Sequence, residues 1–218
     1  MNRRQTKLLL AIAGAAAACV TQPARATAIT WNNSGTDFNA DASWGDGSAG
    51  SAPVNDLTTD VGTFTGTPAN QPDVSASRQI AGLDFQSGGW ILSSSGGFKL
   101  TIGGSGMTTS TGAVTISASL EVGADQAWNI GGTSLVLGAA LTGASGNALT
   151  KNGSGTLTLS STVNNTIAGG LVINNGTVNF ASSASSSGLL TSFSGITINS
   201  GTLTMGDNRL GNASLVVN

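Results

Sequence analysis

The sequence contains no histidine and no tyrosine, one cysteine and four prolines, and only 8% of its 218 residues are charged. Without histidine, a serine nucleophile has no imidazole base to activate it. The lack of histidine, together with the single Cys19, also removes the two usual ligand types of zinc sites. So few cations offer no basic surface for nucleic acid. These deficits argue against the common hydrolase, zinc-protein and nucleic-acid-binding classes.

The first 26 residues have the pattern of a secretory signal peptide. Residues 3–7 carry three positive charges, residues 8–18 form an apolar run too short to span a bilayer, and Ala24-Arg25-Ala26 fits a cleavage site. Cleavage removes Cys19, so the mature chain has no disulfide in its oxidising destination. Lipidation of Cys19 is disfavoured because Ala16 stands where a lipoprotein signal prefers leucine. No later apolar run is long enough to span a membrane.

Glycine, serine, threonine and asparagine supply 105 of the 218 residues. That share is typical of disorder, but the hydrophobic fraction is 39% and its Val, Ile and Leu residues occur in short alternating bursts. Regular apolar bursts separated by glycine-rich turns predict many short strands and no helix.

A repeat in the second half is the clearest feature of the sequence. Residues 171–180 and 196–205 share the pattern apolar-x-apolar-Asn-x-Gly-Thr-apolar-x-apolar; residues 215–218 begin a third copy, and residues 155–159 give half of an earlier one. Each copy reads as two short strands joined at an Asn-Gly corner. A fixed period of this length predicts an all-β, right-handed parallel β-helix in which neighbouring coils bury each other. An Asn-Gly link can also make an antiparallel hairpin, which suits the short strands and period less well.

This interpretation makes detailed expectations. Gly155, Gly176 and Gly201 should occupy equivalent corners, and Leu157, Val178 and Leu203 should stack in one inward row. Residues 27–75 are expected to cap a solenoid that runs from 76 to 218, with residues 181–187 leaving it as a loop. Further strands are predicted at 80–85, 90–92, 98–102, 114–116, 120–122, 128–130 and 135–137.

The segment 149–160, which reads LTKNGSGTLTLS, resembles the autotransporter-associated β-strand repeat, and 167–177 is similar to its continuation. The resemblance covers 149–205. A looser similarity to the opening region of large secreted proteins with this repeat lies at 30–31, 43–44, 60–64 and 81–85. The resemblance implies a β-helical, passenger-like region of a secreted or outer-surface protein of a Gram-negative bacterium. It implies no activity.

Few residues are candidates for chemistry. Glu121 and Asp125 lie in neighbouring turns and could form the carboxylate pair of a glycoside-cleaving site, although solvated turn residues are the favoured interpretation. Residues 37–43 imitate the start of a calcium loop, but Ser48 stands where the closing glutamate belongs, which favours a polar turn. We therefore expect no catalytic, cofactor or metal residues. The four tryptophans are expected to plug the N-terminal end or fill the core rather than to stack on sugars. They are Trp31, Trp44, Trp90 and Trp128.

The sequence thus predicts a non-catalytic extracellular scaffold that is adhesive toward a surface or polysaccharide. The alternatives are a carbohydrate-active β-helix enzyme, either a polysaccharide lyase or a hydrolase, and a β-sandwich carbohydrate-binding module. A carboxylate-lined groove would favour the enzyme, antiparallel pairing the sandwich, and Asn, Ser and Thr ladders the scaffold. Because the third repeat stops at Asn218, further repeats and an export domain are expected beyond it.

Overall fold

A computed structural model describes residues 26–45, 50–143, 146–160, 165–181, 193–205 and 214–218. The predicted signal peptide before residue 26, with Cys19, and most of the predicted loop 181–187 lie outside these residues. Within them the only helix is a short 3₁₀ turn, Asp41–Ser43, and no helix is long and apolar enough to cross a membrane. The strands are β1 (Thr27–Thr30), β2 (Asp60–Phe64), β3 (Arg78–Phe85), β4 (Ile91–Leu92), β5 (Lys99–Thr109), β6 (Ala113–Ile116), β7 (Ser119–Val122), β8 (Gln126–Ile130), β9 (Ser134–Leu137), β10 (Leu141–Gly143), β11 (Leu149–Asn152), β12 (Thr156–Leu159), β13 (Leu171–Ile173), β14 (Thr177–Phe180), β15 (Ile196–Ile198), β16 (Thr202–Met205) and β17 (Leu215–Val217).

The strands stack into two parallel sheets. Sheet 1 has the order β1-β2-β3-β5-β8-β11-β13-β15-β17, with β7 beside β5 and β10 beside β7. Sheet 2 has the order β16-β14-β12-β9-β6-β4. From β11 onward the chain alternates between the sheets, whereas β1, β2 and β3 all lie in sheet 1. The named strands pair only in parallel, as in β12 with β14 and β14 with β16. This confirms the predicted parallel β-solenoid and argues against hairpins and an antiparallel sandwich.

The core consists of side-chain rows that run along the stack between the sheets. Leu157 pairs with Val178 and Val178 with Leu203, as the repeat alignment predicts. Leu157 and Val178 are fully buried, and Leu203 packs against the same core. A parallel row of Leu159, Phe180 and Met205 lies two residues further along each strand. Burying each large aliphatic side chain in such a row contributes about 1.5–3 kcal/mol.

The predicted glycine corners are equivalent in register, although Gly176 alone of the three has a positive φ. The N–H of Thr177 donates to the carbonyl of Gly155 at 3.3 Å, and the N–H of Thr202 donates to the carbonyl of Gly176 at 2.8 Å. Gly176 has φ +69°, and a Cβ there would lie 2.5 Å from the carbonyl oxygens of Gly153 and Gly155. The corner therefore requires glycine for its conformation and for the close approach of neighbouring coils.

The seven predicted upstream strands all occur, but β5 is longer than the predicted segment 98–102. Its first part pairs with β7 and its last part with β8, so this one strand contacts two later strands of sheet 1. Gly103 lies between the two parts, where any Cβ would collide with the backbone of Leu57. The extension thus depends on close backbone packing that the alternating pattern of the sequence does not reveal.

A cluster of aromatic side chains fills the core beside β1 and β2. Trp31 and Trp44 pack edge to face with ring centroids 5.2 Å apart, and Phe38 and Trp44 do so at 4.9 Å. The indole N–H of Trp44 donates to the carbonyl of Phe38 at 2.8 Å. Phe64 of β2 joins this cluster to the rest of the core.

The other two tryptophans lie deeper in the stack. Trp90 donates its indole N–H to Ser87 Oγ at 3.1 Å, and Trp128 donates to Gln126 Oε1 at 2.7 Å. All four tryptophans are at most 2% exposed. The expectation that they are core residues rather than sugar-stacking platforms is confirmed.

Candidate functional site

A polar groove crosses several strands on the outer face of sheet 1. Gln79, Thr101 and Glu121 occupy one outward register row on β3, β5 and β7. Parallel pairing with a side-chain period of two places such residues directly above one another. The groove has a volume of about 440 Å³ and is lined by Asn55, Ser77, Arg78, Gln79, Lys99, Thr101 and Glu121.

The charges in the middle of this groove neutralise each other. Lys99 Nζ lies 2.5 Å from Glu121 Oε2, and Thr101 Oγ1 donates to the same oxygen at 3.1 Å. The side chain of Lys99 is 45% exposed and that of Glu121 is 23% exposed. A pair this accessible contributes at most about 1 kcal/mol to stability. The rest of the groove surface consists mainly of amide and hydroxyl groups. Such groups form hydrogen bonds with hydroxyl-rich ligands.

Arg78 lies at the end of the groove nearest the first coils. Its guanidinium donates to the carbonyl of Pro53. Burial lowers the pKa of Arg78, while the carboxylates of Asp41, Asp37 and Asp60 oppose that shift. An arginine remains charged under these conditions, so Arg78 contributes a cation to the groove wall, within the electrostatic influence of these carboxylates.

The structure gives Glu121 and Asp125 different partners. Glu121 lines the groove and pairs with Lys99, whereas Asp125 accepts the backbone N–H of Ala148 at 2.8 Å and is not a lining residue. A glycoside-cleaving site needs two carboxyl groups that face the same glycosidic bond. This pair of contacts instead suits a surface ion pair and a turn between coils.

Asp37 and Asp41 of the calcium-like segment accept hydrogen bonds from their own surroundings. Asp37 Oδ1 accepts the N–H of Asn39 at 2.8 Å and the hydroxyl of Ser75 at 2.6 Å. Asp41 Oδ1 accepts the N–H of Ala52 at 2.8 Å. Across residues 26–45, 50–143 and the other described ranges, no three His, Cys, Asp or Glu side chains form a metal-binding group.

Asp73 continues this polar row into the next coil. Asp37 bridges to Asp73 and Asp73 to Ser93, both in parallel register. Desolvation raises the pKa of Asp73, but hydrogen bonds from Ser93 and Ser95 outweigh it and hold the pKa below its usual value. Asp73 therefore acts as an ionised acceptor for the turn of the next coil.

Lys151 is a buried cation whose burial the sequence reasoning missed. It occupies the inward row between Trp128 and Ile173 and is fully buried. Its Nζ donates to the carbonyls of Asn152 at 3.0 Å, Gly153 at 2.7 Å and Asn175 at 3.0 Å. Desolvation lowers the pKa of Lys151 to about 8. The signal was present in the alternation of the segment 149–152, which places Lys151 on the same face as Leu149.

Beside this lysine, an asparagine ladder runs along the stack. Asn174 Nδ2 donates to Asn152 Oδ1 at 2.9 Å, Asn199 Nδ2 to Asn174 Oδ1 at 2.7 Å, and Asn218 Nδ2 to Asn199 Oδ1 at 2.6 Å. The steps between these residues are 22, 25 and 19 positions. This ladder is the kind predicted for a scaffold, and it satisfies one amide of each coil with an amide of the next.

The comparisons with known proteins bear on this part of the chain. Residues 149–180 match the family model of the passenger-associated-transport-repeat. This match and the parallel solenoid confirm the resemblance to the autotransporter-associated repeat. No curated protein and no solved structure matches the chain significantly. The matched residues include Lys151, Gly153, Gly155 and Gly176, the corner that the buried lysine holds. Repeat and fold together fit a passenger-type scaffold.

Proposed function

We propose that this chain is a non-catalytic passenger region exposed outside a Gram-negative cell, where it presents an adhesive polar surface. The observation that carries this proposal is the repeat-matched parallel solenoid itself, whose inward rows are mainly apolar and whose later coils are joined by an asparagine ladder. The signal-peptide pattern of residues 1–26 supports export. In such a scaffold, backbone stacking provides rigidity and the outward side chains provide contacts.

The groove on sheet 1 is the proposed contact surface, and its ligand class is polysaccharide. Gln79 presents an exposed amide in the outward row, Thr101 is buried with its hydroxyl donated to Glu121, and the Lys99–Glu121 pair cancels its own charge. A hydroxyl-rich chain can bond to successive rungs without requiring a strong charge. The carbohydrate-active enzyme is the second candidate, favoured only by the presence of Glu121 in the groove.

Binding to a polysaccharide array and to host-cell surfaces tests the adhesive role. We expect Gln79→Ala to weaken binding by about tenfold, since it removes a hydrogen-bonding group from the groove. Thr158→Ala on sheet 2 should leave binding unchanged because it lies on the other face. The groove would be refuted as the adhesive site if the chain bound no polysaccharide on the array, or if both variants bound equally well.

Assays for new reducing ends and for unsaturated products test the second candidate on the same polysaccharides. We expect no turnover. Turnover that Glu121→Gln or Asp125→Asn abolishes would establish an enzyme and overturn the non-catalytic proposal.

A further inference from the structure

Two Asn-Gly peptides meet at the Lys151 corner: Asn152-Gly153 in one coil and Asn175-Gly176 in the next. In an Asn-Gly sequence, the glycine N–H can reach the asparagine side-chain amide because glycine has no Cβ to obstruct the approach. Asparagine is for this reason among the thermally labile residues of proteins. Both peptides are therefore candidate sites of an intramolecular reaction.

Lys151 polarises both peptide groups. Its Nζ donates to the carbonyl of Asn152 and to the carbonyl of Asn175, each at 3.0 Å. A charge-assisted hydrogen bond to a peptide oxygen draws electron density from the peptide nitrogen. The N–H groups of Gly153 and Gly176 then lose a proton more readily, which is the first requirement for attack on a side-chain amide.

The two asparagine side chains differ in what holds them. Asn152 Oδ1 accepts from Asn174 Nδ2 at 2.9 Å, so the ladder fixes its amide. Asn175 Oδ1 instead accepts the N–H of its own neighbour, Gly176, at 2.7 Å. This contact brings the attacking nitrogen and the amide group of Asn175 together, and the exposed Asn175 is open to water.

We propose that Asn175 is a self-modification site, converted without an enzyme to aspartate or isoaspartate. Gly176 N forms a bond to Asn175 Cγ, the bond from Cγ to the side-chain nitrogen breaks, and that nitrogen leaves as ammonia with the proton from Gly176. Water then opens the cyclic imide at either carbonyl. The net change replaces an amide by a carboxylate and adds about one dalton and one negative charge, next to the Lys151 ammonium.

Prolonged incubation of the purified chain at neutral pH and body temperature tests this proposal. Peptide mapping with isoaspartate detection should locate the mass gain at Asn175, with Asn152 converted at least about tenfold more slowly. In the urea-unfolded chain the two sites should convert at similar rates, because both precede glycine. An Asn175 that stays intact in the folded chain while both sites change in urea would overturn the proposal.

Two variants separate the effect of Lys151 from that of the asparagine ladder. Lys151→Met should slow conversion at Asn175 by about tenfold, since the polarising bond is lost. If that variant does not fold, the ratio of the two sites in the native chain decides the proposal. Asn174→Ala releases the Asn152 amide and should allow Asn152 to convert as well. An unchanged Asn152 in this variant would contradict the protective role assigned to the ladder.

Discussion

The ammonium of Lys151 lies between Trp128 and Ile173 and is bonded to three backbone carbonyls. Turns at a solenoid corner leave carbonyl groups that point inward, and each buried carbonyl without a donor costs about 1–3 kcal/mol. One ammonium with three N–H donors satisfies three of them. The lysine therefore supplies hydrogen bonds to carbonyl groups that the Asn-Gly turns would leave without donors. Removing its own charge from water costs free energy in return.

This arrangement predicts a stability that rises in mildly alkaline solution. Burial lowers the pKa of Lys151 from 10.5 to about 8, so between these values the unfolded chain binds more protons than the folded chain. The free energy of unfolding should therefore increase with pH across this window, by up to about 3 kcal/mol, because one pKa unit is worth about 1.4 kcal/mol. Well below pH 8 both states are protonated and the contribution is constant. Urea unfolding at a series of pH values measures the rise.

Lys151→Met is the matched control for this titration. The chain has no tyrosine or histidine, so few other groups titrate in the same range, and those that do are shared by both proteins. The stability of the native chain relative to the variant should rise across the window. A difference that stays flat would show that the three carbonyls hold the lysine pKa near its usual value.

The requirement for glycine at the corner can be tested by comparing two positions that have the same φ. Gly176 and Gly97 both have φ +69°, but a Cβ at Gly176 meets two carbonyl oxygens, whereas one at Gly97 meets nothing within 4 Å. Gly97→Ala should cost about 1 kcal/mol from backbone strain alone, and Gly176→Ala about 3 kcal/mol. Thermal or urea unfolding measures both; equal losses would contradict the role of close packing.

At the scale of strands, the inward and outward rows of β14 can be separated by adjacent substitutions. Val178 is fully buried between Leu157 and Leu203, whereas Asn179 lies in the outward row. Val178→Asp should remove about 4 kcal/mol or more, because its charge would be buried without a partner. Asn179→Asp should change stability by about 0.5 kcal/mol or less. Circular dichroism with urea unfolding compares them, and a folded, stable Val178→Asp would contradict the inward row.

In the repeats from residue 149 onward, the sequence predicted strands, corners and row partners well because one repeated pattern governs all three. Leu157, Val178 and Leu203 could be aligned by eye, and a parallel stack turns that alignment directly into contacts. The second half of β5 escaped prediction because it depends on which backbone groups of a neighbouring coil lie opposite, such as Leu57 beside Gly103. Residue type and alternation do not contain that information. Alternation does place Lys151 on the inward face with Leu149, but it does not reveal the three carbonyls that accept from its ammonium, one of them in the next coil.

The polar groove could be predicted only in part. Alternation places Thr101 and Glu121 on outward faces, but it does not say that β7 stacks beside β5 with these two residues in one rung. The coils between residues 76 and 148 lack the clear repeat of the later ones. The sequence therefore did not determine which residues of neighbouring coils pair with each other. Glu121 was therefore singled out for its charge, whereas Lys99, its partner, was not.

For the whole molecule, the order of strands implies that stability is distributed along one axis. Each strand contacts its neighbours in the stack, so a coil is stabilised mainly by the coils on either side. The aromatic cluster and the double pairing of β5 strengthen the first coils. Among the later strands, β16 is only half-buried and β17 is exposed, with Val217 at 68%.

Hydrogen exchange should therefore reveal a gradient of protection along the stack. Amides of β3 should exchange at least about a hundredfold more slowly than those of β15 and β16, since local opening needs less free energy where fewer apolar side chains are buried. Asn174→Ala, which removes two ladder bonds, should speed exchange in β13 and β15 and leave β3 unchanged. Mass spectrometry of exchanged peptides resolves these strands. Uniform protection that shifts everywhere in the variant would mean that the solenoid unfolds as a single cooperative unit, and that the contacts between coils outweigh the differences within them.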